Sequence, residues 1–170
     1  EIMPSLVGSE MCIRDSAYYL RGYALAPDND FLPGNAADML TRLERYSEAL
    51  PLSEVAISLD PDWLKWRRVR IDALTNLGRG AEAVADADRA LTKWPDSGPL
   101  HAERINALIA AKQQEEALAA CDRLIGLDPD YRSWALFSRG EIYGHLKRHA
   151  ESAMALSLIH ISEPTRLGMI

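Results

Sequence analysis

Apolar residues recur at three- and four-residue spacings along most of this chain, and the runs they mark come in pairs. Between Trp63 and Leu77, the residues Trp66, Val69, Ala73, Leu74 and Leu77 share one helical face while Lys65, Arg67, Arg68, Arg70 and Asp72 fall between them. That is the pattern of an amphipathic helix with one core-facing stripe. Ala81 to Trp94 carries a second such stripe, joined to the first by Leu77-Gly78-Arg79. Leu100–Ala111 with Glu115–Leu127, and Gly34–Glu44 with Glu48–Leu59, read the same way. Tyr131–Leu146 is a further first helix, Ala150 onward begins its mate, and Ala17–Leu25 reads as a second helix alone. No stretch alternates as a strand would.

The punctuation sharpens these boundaries. Asp28–Pro33 reads as a turn, Ser47 as the cap of the helix that follows it, and Ser97 as the cap of the Leu100–Ala111 helix, with Pro99 tolerated in its first turn. Pro51 lies about one turn inside its helix, where a missing N–H should kink or fray the start. Leu77 and Leu108 are expected in the core, and Ala83 at a contact too tight for a larger side chain.

A fixed interval overlies the pairs. Pro27, Pro61, Pro95 and Pro129 stand 34 residues apart, a period that two short helices fill and that marks a solenoid of stacked pairs. Twelve and five residues before three of these prolines stand Ala49 and Ala56, Ala83 and Ala90, and Ala117 and Leu124. With the Leu77-Gly78 pair between helices, these features resemble the tetratricopeptide-repeat family over 17–155, whose small residues sit at those places because helix backbones meet there. Ile71 and Ile105 depart from the family's small residue early in the first helix. The last repeat fits with one extra residue, so that Gly140, Tyr143 and Leu146 take the family's Gly, aromatic and Leu places. The resemblance implies an all-α, right-handed superhelix of about three full helix pairs with a half-repeat at each end.

Composition changes this picture little. Of 170 residues, 48% are hydrophobic and 26% charged, ordinary for a globular domain, and no apolar run is long enough for a membrane span. A net charge of −6 disfavours nucleic acid, whose phosphates call for a basic surface. Two Cys define no disulfide framework, and Cys121 falls on an inner helix face as a small hydrophobe would. Residues 1–16 and 156–170 resemble translated sequencing-adaptor read-through and are expected to be non-native, so Cys12 and His160 carry no weight. The native start is accordingly expected to be absent, and a cytoplasmic location is the working expectation.

The resemblance also places function. In that family the first helices of successive repeats line a concave groove that holds a partner peptide or protein. Here it implies a groove set of Asp38, Arg42, Lys65, Arg68, Asp72, Asn76, Glu103, Asn106 and Glu141, with His145 beside the last. The grip that some members use on a C-terminal carboxylate needs a Lys and an Asn one turn apart, and the matching pairs here are Gly34 and Asp38, Arg68 and Asp72, and Ala102 and Asn106. None fits, and Glu103 would repel an anion, so no carboxylate-clamp peptide is expected. The basic cluster Lys65, Arg67, Arg68 and Arg70 is broken up by Asp62, Asp72, Asp86 and Asp88, and reads as Arg stems packed on a helix with solvated heads. His145 and His149 are four apart but lack a third ligand and straddle a helix boundary, so no metal is expected. No phosphate loop, Gly-x-Ser-x-Gly turn or Cys/His pair is present, and no cofactor is implied. The expected function is a non-catalytic scaffold for protein partners, able to self-associate through uncapped ends. The alternatives are an accessory arm of a larger enzyme, such as a transferase, or a nucleic-acid-binding repeat.

Overall fold

A computed structural model describes residues 4–162 and the side chains of residues 10–158. Residues 163–170, part of the expected C-terminal read-through, lie outside the described residues. Among the described residues nine α-helices follow one another: α1 Pro4–Leu25, α2 Phe31–Arg42, α3 Tyr46–Leu59, α4 Leu64–Asn76, α5 Gly80–Leu91, α6 Gly98–Ala110, α7 Gln114–Leu127, α8 Arg132–His145 and α9 His149–Ser162. Among the described residues there is no strand. Each helix packs on the next in sequence, and α2 also touches α4 and α4 touches α6. No comparable contact joins α3 to α5 or α5 to α7 among the described residues. The first helices α2, α4 and α6 therefore form the inner layer of the curve, as a stack of helix pairs requires when one layer is more tightly spaced than the other.

The corners inside the pairs repeat as closely as the helices do. Glu44, Gly78, Lys112 and Lys147 all have φ between 59° and 75°, and the residue after each returns its N–H to the carbonyl of Leu40, Leu74, Leu108 and Tyr143 respectively. That six-to-one bond closes a helix by a left-handed residue, a place that costs Gly nothing and other residues about 1–2 kcal/mol. Only Gly78 meets the geometry without strain, yet all four corners adopt it. Backbone hydrogen bonding and packing outweigh the residue's own preference. Between the pairs, Asp60 and Asp128 are extended before Pro61 and Pro129, the conformation that a following proline imposes.

Burial follows the small-residue ladder. Ala49, Ala56, Ala83, Ala90, Ala117 and Leu124 are buried, as are Ile71 and Ile105, so the two larger residues in the first helices are taken up by the core. Gly80 stands where a Cβ would lie 2.5 Å from the Ala111 nitrogen, and only the missing side chain lets α5 approach the end of α6 this closely. Ser97 caps α6 by accepting the Leu100 N–H. The extra residue of the last repeat falls between Pro129 and Arg139, a stretch that opens with a 3-10 turn over Pro129–Tyr131.

Four expectations are corrected. Leu77 closes α4 instead of continuing it and is 38% exposed, because the corner turns the chain before its side chain reaches the core. Ser47 lies inside α3, which begins at Tyr46 on a cap, Arg45, that makes no side-chain cap bond. The Asp28–Pro33 turn is shorter, since α2 starts at Phe31 with Pro33 in its first turn, where the N–H that proline lacks has no helical partner anyway. The heads of the basic cluster are only partly solvated and each has a partner within the fold. Lys65 pairs with Asp38, Arg68 with Glu103, and Arg70 with Glu54 and the buried Asp86, while Arg67 donates to the Pro61 carbonyl. α3 runs on through Pro51.

A second ladder follows from the fold. Glu54–Arg70, Asp88–Arg104 and Asp122–Arg139 are equivalent ion pairs, each tying a second helix to the first helix of the next repeat. Each carboxylate is more than half exposed, so a single pair contributes little, but the set marks the same crossing three times.

Leu108→Ala is expected to cost about 2–5 kcal/mol, since Leu108 is fully buried, whereas Leu77→Ala is expected to cost about 1 kcal/mol or less; denaturant melts of both variants test the contrast. Gly78→Ala should lose about 1 kcal/mol from backbone strain alone, because its Cβ would meet nothing within 4 Å. An unchanged melting midpoint for Gly78→Ala would mean that the corner relaxes freely.

Candidate functional site

Helical spacing puts residues four apart on one face, and on the inner layer those faces turn toward one another. Asp38 and Arg42 of α2, Lys65, Arg68 and Asp72 of α4, and Glu103 of α6 line one cavity of about 230 Å³, together with Thr41 and Val69. Six of the nine expected groove residues are thus brought together. Asn76 stands just outside and donates its Nδ2 to Asp72 Oδ1 at 2.8 Å. Asn106 and Glu141 are exposed on α6 and α8 and do not line the cavity.

The cavity's charges are arranged in two groups. At one end Lys65 Nζ lies 2.9 Å from Asp38 Oδ2 and donates to Asn35 Oδ1 at 3.1 Å, while Arg42 Nε reaches Asp38 Oδ1 at 3.3 Å. At the other, Arg68 places both Nε and Nη2 2.8 Å from a single oxygen, Glu103 Oε1. Glu103 Oε2 is shielded from solvent and has no hydrogen-bond partner among the described residues. Asp72 has its Asn76 bond but no ion pair among the described residues.

Electrostatics follow from that geometry. Burial raises the Glu103 carboxyl to about 7, with Arg68 pulling it down and the nearby Asp72 charge pushing it up. Burial is also the main cause that lifts Asp72 above the usual carboxylate range, against the opposing effects of Asn76 and Arg68. Desolvation thus dominates at both carboxylates. Cys121, buried on α7, has its thiol pushed up to about 12 by burial and by Asp122, so it is a packing residue and not a nucleophile.

Sequence reasoning overlooked several partners of this wall. Asn35 braces Lys65, and Asp30 accepts the indole N–H of the fully buried Trp66 at 3.0 Å. Asp30 lies just before α2 and Asn35 at the start of its second turn, and their only sequence signal is a polar residue beside an apolar stripe. Trp66 itself packs on Gly34, where a Cβ would lie 2.5 Å from the indole ring, so the position that begins one of the carboxylate-grip pairs is filled by the core. A separate cavity of about 290 Å³, walled by α5, α6 and α7, includes Asp88, Thr92, His101, Arg104 and Arg123, with His101 Nε2 bonded to the Pro95 carbonyl. His145 ends α8 and His149 begins α9, so a corner separates them. Among the described residues no helix is long and apolar enough to cross a membrane.

A pH dependence follows. Between about 4.5 and 7 the folded protein keeps a proton on Glu103 that the unfolded chain has already lost, so stability falls as pH rises through that window. Glu103→Gln is expected to remove that part of the slope, up to about 3 kcal/mol, in urea melts taken from pH 4 to 8; an unaltered slope would mean that Glu103 titrates as an exposed carboxylate.

Among known proteins, the family model of the bacterial transcriptional activator domain matches residues 55–129. No curated protein matches the chain. MamA from Desulfovibrio magneticus RS-1, residues 41 to its end, superposes with a TM-score of 0.77 at 14% identity, over 94% of this chain and 93% of that one. TTC0263, a thermophilic tetratricopeptide protein of Thermus thermophilus, gives 0.70 at 16% identity over 96% and 93%. YrrB, described as a tetratricopeptide protein with an unusual peptide-binding site, gives 0.70 at 17% identity over 98% and 89%. With its helix pairs, left-handed corners and small-residue contacts recurring at one interval, and with its course shared by two solved tetratricopeptide proteins, this chain has the tetratricopeptide-repeat fold.

Proposed function

We propose that the chain is a non-catalytic scaffold that holds a partner peptide or protein against the inner layer of α2, α4 and α6. The observation that carries the reading is the cavity in which side chains from three successive repeats converge, charged and half-buried, on an otherwise unreactive helical stack. Such a surface can grip an extended chain at several points at once, as solenoids do. YrrB's described peptide-binding site supports the same use of the fold. Asp38, Arg42, Lys65, Arg68, Asp72 and Glu103 are the proposed contact residues, with Asn76, Asn106 and Glu141 along the flanks.

A second reading concerns context. The match of residues 55–129 to a bacterial transcriptional activator domain supports a place as the interaction arm of a transcriptional regulator. The acidic net charge of −6 suits contact with protein partners better than with nucleic acid in such an arm.

Selection of random peptides against the protein, followed by mapping of the selected peptides through backbone amide chemical shifts, tests the groove. Shifts clustered on the inward positions of α2, α4 and α6 are expected. Shifts confined to α3, α5 and α7 would place binding on the outer layer and refute the reading.

A further inference from the structure

We infer that the cavity between α2, α4 and α6 takes a cationic side chain, Lys or Arg, from an extended partner peptide, with Asp72 and Glu103 as its acceptors; this rests on the groove reading above. Each of the cavity's own cations already has a carboxylate. Both guanidinium contacts of Arg68 go to Glu103 Oε1, Lys65 is shared between Asp38 and Asn35, and Arg42 lies on Asp38. What remains is one unbonded oxygen on Glu103, whose other oxygen Arg68 covers, and Asp72 with no ion pair among the described residues. Glu103 Oε2 is shielded from solvent and bonded to nothing, and Asp72 has only the neutral amide of Asn76.

A buried carboxylate oxygen without a donor is an uncompensated cost, and three classes of incoming group can be compared for relieving it. An anion would add repulsion to both carboxylates. A neutral amide would supply donors and leave the charge of Asp72 without an ion pair. An ammonium or guanidinium supplies several donors and the opposite charge together. It can reach Oε2 by a turn of the Glu103 carboxylate about its terminal torsion, which is soft. Burial holds both carboxylates above their ordinary range, and a cation between them would reverse that shift. A chain of net charge −6 also steers a basic partner toward it.

The test uses peptides selected from a random phage-displayed library on the whole chain, with binding read by fluorescence anisotropy and position by amide shifts. Peptides that map to α2, α4 and α6 are expected to share one Lys or Arg, and norleucine at that place should weaken binding about tenfold or more. Asp72→Asn and Glu103→Gln should each weaken it by a similar factor, and the exposed Glu116→Gln should not. Circular dichroism melts establish that the variants fold; if either does not, the norleucine peptide on the unaltered protein decides. Groove-mapped peptides that tolerate norleucine would overturn the cation inference while leaving the groove reading intact. Peptides that map elsewhere, or no selected peptide at all, would overturn both.

Discussion

Helix backbones in this stack come closer than ordinary side chains allow, and the rest of the structure depends on that approach. Ala49, Ala83 and Ala117 sit fully buried at successive equivalent contacts, and Gly80 meets the backbone of Ala110 and Ala111 with no room for a Cβ. Because added methylenes at such a contact force the helices apart, the small residues set the spacing, and the spacing sets the curve. The inner layer is then narrow enough for α2, α4 and α6 to present their polar faces to one another. The groove is a consequence of alanine and glycine placed where the charged residues are not.

Ion pairs act on top of this geometry without creating it. Glu54–Arg70, Asp88–Arg104 and Asp122–Arg139 recur across the boundary between repeats, and their exposed carboxylates make each pair weak. The pair between Arg70 and Asp86 is different, since Asp86 is 2% exposed and the 2.6 Å contact is a pairing of charges without aligned hydrogen bonds. Removing Arg70 would leave the buried charge only the longer 3.5 Å contact with the exposed Arg89, which is close to the costly case of an uncompensated charge. The same physics governs the groove, where Arg68 covers one oxygen of Glu103 and leaves the other bare.

The candidate site was legible in part. Asp38, Arg42, Lys65, Arg68, Asp72 and Glu103 could be assigned to one surface because the family resemblance implies which helices line the groove, and the period of 34 residues carries that register from repeat to repeat. Asn106 and Glu141 obey the same register but lie beyond the cavity, whose extent depends on how far each repeat rotates from the last. That rotation comes from packing, and a periodic sequence does not encode it locally. Asn35 and Asp30 were invisible for a different reason: their partners Lys65 and Trp66 are 30 and 36 residues away, and a lone polar residue near a helix start reads as solvated.

By itself the sequence determined the helices, their pairing, the interval and the residues that must be small, because each of these is written in spacing and side-chain size within one or two turns. It also placed Gly78 at the corner between two helices. Only the tertiary structure decided that Glu44, Lys112 and Lys147 take the same corner against their own preference, that Leu77 turns outward, and that the arginines of α4 find their partners within the fold. Those outcomes depend on which distant groups arrive beside a residue once the stack closes, and a distance of that kind has no counterpart along the chain.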